Sequence, residues 1–82
     1  MHWTDTNDCL KATFAFPDFR RAFAFMTEVA FAAEAANHHP NWENVYNTVN
    51  ITLTTHDAGN TVTEKDRTLA RQIDEIYQFY KQ

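Results

Sequence analysis

Three of the four histidines in this 82-residue chain stand in two short polar junctions. The first junction reads Asn37-His38-His39-Pro40-Asn41-Trp42, and the second, Thr55-His56-Asp57, follows after one alternating apolar segment. Imidazole titrates closest to neutral pH of all unperturbed side chains, so it gives or takes a proton there at little cost. Two junctions at one end of a sheet can bring three imidazoles into one pocket, which suits acid–base chemistry on a small molecule. Glu34, one helical turn before His38, and Asp57, next to His56, add carboxylates to the group. Pro40 and Trp42 can supply an apolar wall, since ligand sites combine such walls with a few placed polar groups. Each also has a plainer use: Trp42 in core packing, Asp57 in its turn, Glu34 on a solvated helix face. The fourth histidine, His2, enters no argument.

The elements that must position these residues follow from hydrophobic periodicity. Leu10, Ala12, Phe14 and Phe16 alternate with Lys11, Thr13 and Ala15, which predicts a half-buried strand over 8–16. Thr6-Asn7-Asp8 has turn chemistry, so residues 3–5 are expected to pair with it in a hairpin. Pro17 stops the strand and suits the first helical position, with Asp18 favouring a helix start. Phe19, Phe23, Met26, Ala30 and Ala33 then recur at helical steps, with Ala22, Phe25 and Val29 widening the stripe. The helix is expected to end near Asn37, a residue that tolerates left-handed angles, and Pro40 prevents continuation. His38 and His39 therefore lie in a helix exit.

Residues 43–55 are rich in Val, Ile, Thr and Tyr. Asn47-Thr48 reads as a two-residue turn, dividing the segment into strands over 43–46 and 49–55. Unbroken alternation from Val45 to Leu53 leaves one long strand as the alternative. Thr63-Glu64-Lys65-Asp66 is a variant capping box, and Leu69, Ile73, Ile76 or Tyr77, and Tyr80 mark the core stripe of a terminal helix. The order β-β-α-β-β-α predicts an α+β fold, an antiparallel sheet with helices packed on one face.

Composition narrows the function classes. Hydrophobic content is 44% and aromatic content 15%, with one Gly and two Pro, so residues 1–82 are read as one domain without a linker. The net charge is −4, and no basic cluster exists beyond Arg20-Arg21, so no nucleic-acid partner is expected. A lone cysteine, Cys9, excludes an internal disulfide and fits a reducing compartment. No long apolar run or leader-like amino terminus is seen, so a cytoplasmic protein with no membrane contact is expected. The small size, Phe on more than one side of the first helix, and edge strands without a blocking proline point to a homodimer or homotetramer.

The run from Glu34 through His38-His39-Pro40-Asn41-Trp42 and Val45-Tyr46-Asn47-x-Val49-x-Ile51-x-Leu53-x-Thr55-His56-Asp57 closely resembles the signature of the pterin-4a-carbinolamine dehydratase family. The resemblance runs from about Trp3 to the end. It implies the α+β build, usually with an extra amino-terminal helix for which this chain starts too late. It further implies dehydration of 4a-hydroxytetrahydrobiopterin to quinonoid dihydropterin, in recycling of the tetrahydropterin. By motif position, His38 and His56 correspond to general acids and His39 to a third, substrate-binding histidine of the catalytic group. Glu34, Pro40, Trp42 and Asp57 correspond to substrate-contacting positions. No metal and no cofactor is implied; three histidines with two carboxylates resemble a zinc donor set, but adjacent histidines in an irregular exit rarely aim at one ion. Some members of the family instead act as dimerisation cofactors of a homeodomain transcription factor, the alternative reading. Asn60 departs from the pattern, standing where Gly or an apolar residue is common.

Overall fold

The computed structural model describes residues 3–82, so His2 lies outside them. Strand β1 (Thr4–Thr6) and strand β2 (Cys9–Ala15) form the first hairpin. Asn7 and Asp8 make its turn, both at left-handed angles (φ 51° and 62°), which Asn and Asp tolerate best among residues with a Cβ. Helix α1 (Phe19–Ala36) follows, then strands β3 (Asn41–Val45) and β4 (Thr48–Leu53), one 3₁₀ turn (His56–Ala58), and helix α2 (Glu64–Tyr80). The sheet is antiparallel in the order β1-β2-β4-β3, which is the α+β arrangement expected from the sequence.

The alternating strand positions divide as the pleat requires. Leu10, Ala12 and Phe14 face Leu53, Ile51 and Val49 across the β2–β4 register, and all are buried under the helices. The opposite face is polar; Thr13 donates to the Asn50 side chain at 2.7 Å, and Asn50 donates to Glu43 at 3.1 Å. The core centres on Phe14, Phe16, Phe25 and Tyr77, with ring centroids 4.9–5.9 Å apart. Edge and tilted contacts of this kind add to the area each ring buries.

Three local expectations are corrected. Pro17 is not the first helical residue: Asp18 is the N-cap (φ −157°), and its carboxylate accepts from the Arg21 N–H at 2.9 Å. The buried face of α1 is Ala22, Phe25, Val29 and Ala33, whereas Phe19 and Phe23 are 45% and 56% exposed. The helix is apolar on several sides, and the buried side is the one packed against α2 and β4. The β3–β4 turn is Tyr46-Asn47, one residue earlier than expected, and Tyr46 rather than Asn47 carries the positive φ of 49°. Asn47 is held elsewhere: its side-chain amide donates to Phe16 O at 2.9 Å, and Phe16 N–H donates to Asn47 O at 2.9 Å. Asn44 cradles the turn by donating to the carbonyls of Tyr46 and Thr48.

Among the described residues, no helix is long and apolar enough to cross a membrane.

Candidate functional site

The site is built from three element ends. Helix α1 stops at Asn37, whose left-handed conformation (φ 51°, ψ 43°) reverses the chain. Asn37 N–H donates to Glu34 O at 3.1 Å and His38 N–H to Ala33 O at 3.0 Å, the paired bonds of a left-handed helix stop. These bonds satisfy two carbonyls at the helix end and set His38 one residue past the reversal. Pro40 then leads straight into β3.

The second junction closes on Thr55 after β4. Thr55 N–H donates to Thr61 O at 2.9 Å, while Asn60 N–H and Ala58 N–H return to Thr55 O. His56, Asp57 and Ala58 form the 3₁₀ turn inside this loop. The third end is the start of α2, capped at Thr63 (φ −128°). The Asp66 carboxylate accepts from Thr63 N–H at 2.9 Å, the reciprocal half of the capping box read from the sequence.

Together these ends enclose a cleft of about 260 Å³ lined by His38, His39 and His56, with Asn37, Thr54, Thr55, Asp57 and Lys65. The three histidines from the two junctions therefore share one cleft. Asp57 lines it as well as forming the turn. Glu34 stands outside the lining and accepts from His39 Nε2 at 2.9 Å. Pro40 and Trp42 are outside the lining too, and Trp42 is half-buried against the hydrophobic core.

Each imidazole is anchored through one nitrogen. His38, only 8% exposed, donates from Nε2 to Asp66 Oδ1 at 2.5 Å. A carboxylate only accepts, so the His38 proton sits on Nε2 and Nδ1 is left as the nitrogen without it. His39 is oriented by Glu34 in the same way, but in the open. His56 Nδ1 is 2.7 Å from Asn60 Oδ1, an oxygen that accepts.

Asp66 was read from the sequence as a cap alone, and its larger role lies here. It is wholly buried and accepts from His38, from the Thr55 hydroxyl at 2.7 Å and from Thr63 N–H. Burial pushes its carboxyl up. The hydrogen bond from His38, those from Thr63 and Thr55, and the charge of His38 outweigh burial and hold the pKa below the ordinary carboxylate value. One sequence signal was available: Asp66 is in phase with Leu69, Ala70 and Ile73 on the buried stripe of α2. An acid on a core stripe requires a partner, and the partner is His38.

Among the described residues, no group of three His, Cys, Asp or Glu side chains is placed to hold a metal ion. The arrangement can hold a small polar ring among three imidazoles and exchange protons with it.

Comparisons with known proteins cover most of the chain. The model of the family described as Pterin 4 alpha carbinolamine dehydratase matches residues 1–76. A protein from Opitutus terrae with the provisional name pterin-4-alpha-carbinolamine dehydratase is 51% identical over 90% of this chain and 76% of its own length. A Synechococcus protein with the same provisional name is 55% identical over 92% of this chain and 80% of its own. The crystal structure of a transcriptional coactivator/pterin dehydratase from Brucella melitensis superposes with a TM-score of 0.88 at 41% identity, covering 93% of this chain and 82% of that one.

Proposed function

The chain belongs to the pterin-4a-carbinolamine dehydratase family and is a hydro-lyase of that kind, and from this premise we propose that its substrate is 4a-hydroxytetrahydrobiopterin. The products are quinonoid dihydropterin and water, in recycling of the tetrahydropterin. The observation that carries the reading is the single cleft shared by His38, His39 and His56, each with one ring nitrogen tied to an acceptor.

Dehydration breaks the bond between the ring carbon and its hydroxyl, and the electron pair leaves with oxygen. An acid must protonate that oxygen so that water departs. A base must take the proton from the neighbouring ring nitrogen as the carbon–nitrogen double bond forms. One proton enters, one leaves and no electrons are transferred, so the reaction as written calls for no redox cofactor. Imidazole serves both steps near neutral pH, and such assistance is typically worth about 10²–10⁴ in rate.

His38 and His56 are the acids, one for each face of the ring. Asp66 holds His38 as the Nε2–H tautomer and stabilises its cation, the usual service of a buried carboxylate to a catalytic imidazole. His39, oriented by Glu34, binds the polar edge of the substrate, and Asp57 offers an acceptor at the rim. Pro40 and Trp42 border the ring beyond the lining. The protein works as a cytoplasmic homodimer or homotetramer; the exposed Phe19, Phe23 and Phe31 of α1 favour assembly.

The test is a dehydratase assay on chemically generated 4a-hydroxytetrahydropterin. Acceleration over the uncatalysed loss of water, abolished in the His38→Ala/His56→Ala double variant, is the expected result. Full activity in that variant would overturn the assignment of the acids.

A further inference from the structure

We propose that Asn60 is a positioning residue for His56, selecting the tautomer in which Nδ1 carries the proton and Nε2 is the working atom. The proposal deepens the reading above and rests on it for its catalytic consequence. Its structural core can be tested without any pterin.

The loop after β4 is built to return residue 60 to residue 56. Gly59 (φ 84°) and Asn60 (φ 60°) are consecutive left-handed residues, which curl the chain back on itself. Gly59 N–H donates to His56 O at 3.0 Å, and Asn60 N–H donates to Thr55 O at 3.1 Å. The backbone of Asn60 is therefore fixed against the residue that precedes His56. From that position its side-chain oxygen meets His56 Nδ1 at 2.7 Å.

An amide oxygen accepts and does not donate, so it selects the Nδ1–H form of a neutral imidazole. No described residue takes Nε2. In the neutral ring Nε2 is then a base, and in the cation it is the acidic N–H. A free imidazole side chain prefers the opposite tautomer, with the proton on Nε2. Without Asn60 the base form of His56 would be diluted and the ring would be free to turn.

The charged and titratable groups around His56 are His38 and His39 from the α1 exit, Asp57 beside it, and Lys65 from α2, with Asp66 buried behind Thr55. His38 and His39 are themselves tied to carboxylates, whereas the anchor of His56 is neutral. The neutral amide fixes direction without the added pull of a full negative charge on the imidazolium. That distinction separates Asn60 from Asp66 and makes replacement by a carboxylate informative.

Two substitutions test it. Asn60→Gly keeps the left-handed backbone at no steric cost and removes the acceptor. Asn60→Asp restores an acceptor and adds a charge. Nitrogen-15 spectra of ring-labelled protein, above the pH at which histidine titrates, should show His56 as Nδ1–H in the wild type. Asn60→Gly should shift it toward Nε2–H with an unchanged melting temperature. With the 4a-hydroxypterin, kcat should fall on the order of tenfold and KM should stay level, a smaller loss than deleting an acid–base group. Asn60→Asp should recover the Nδ1–H tautomer and move the limb of the kcat pH profile that reports His56 to higher pH. An unchanged tautomer in Asn60→Gly would overturn the proposal. So would a loss of kcat that Asn60→Asp fails to rescue in tautomer. A wild type inactive on the pterin would overturn the function and the catalytic consequence, leaving the tautomer readout to judge the anchor.

Discussion

Asp66 carries the greatest local risk in the molecule, because three donors converge on one wholly buried carboxylate. Asp66→Ala would leave His38, the Thr55 hydroxyl and Thr63 N–H without their acceptor, at a cost of about 3–5 kcal/mol. Its folded-state pKa lies below the unfolded one. Its stabilising contribution is therefore complete above the ordinary carboxylate value of about 3.9 and fades as pH falls through the lower folded value. Urea titrations of wild type and Asp66→Asn should accordingly differ most near neutrality and converge in acid. A constant gap down to pH 2 would show that the carboxylate's charge is not what stabilises. The histidines give the matching functional test. His38→Ala should impair one stereoisomer of the 4a-hydroxypterin far more than the other, and His56→Ala should show the reverse. His39→Ala should raise KM for both, as loss of uniform binding does. Steady-state kinetics on resolved isomers decide the matter, and equal losses on both isomers would defeat the division between two acids.

At the scale of elements, helix and strand ends place the chemistry. The left-handed Asn37 ends α1 and aims His38 at the start of α2, so the conformation of one residue controls the distance between His38 and Asp66. Asn37→Gly should preserve folding and the placement of His38, since Gly adopts this conformation freely. Asn37→Val should lower stability by about 1–2 kcal/mol, the usual cost of a left-handed residue with a crowded Cβ, and lower kcat as well. Thermal unfolding together with kinetics would check this, and a stable, active Val variant would contradict it. The second junction works differently. There Thr55 gathers the backbone of the loop with its own N–H and C=O, and its hydroxyl reaches Asp66. One residue thus joins the loop of His56 to the carboxylate of His38.

The whole molecule leaves apolar surface unused. Phe23, Phe31 and Phe79 are 56%, 71% and 80% exposed, and Val45 and Tyr46 stand at 64% and 65% beside the open edge of β3. Apolar side chains this large and an edge strand without proline are costly to leave in water. We expect light scattering to give a mass of two or four times 9.6 kDa at micromolar concentration. Phe23→Glu should lower that mass while leaving circular dichroism unchanged. A strictly monomeric wild type would contradict the expectation.

Much of this protein was legible in its sequence because much of it is decided locally. Alternation identified β2 and β4, the left-handed tolerance of Asn37 identified the end of α1, and Thr63 to Asp66 identified the start of α2, each within a few neighbouring residues. The order of the histidine junctions along these elements was enough to bring His38, His39 and His56 to one end of the sheet. Other features were open until the chain packed. Helix α1 is apolar on several sides, so periodicity alone left its inner face undetermined, and fit against α2 and the sheet chose Ala22, Phe25, Val29 and Ala33 over Phe19 and Phe23. The β3–β4 turn moved by one residue because Asn47 is drawn to Phe16, 31 positions away. The partnership of His38 with Asp66 spans 28 positions, and the low pKa of Asp66 exists only where burial is offset by three donors brought together. The caps of α1 and α2 depend on bonds between near neighbours, which are written in a few adjacent residues, whereas the β3–β4 turn also answers to a distant strand end. A buried charge network depends on distant segments sharing one space, and tertiary packing alone decides that.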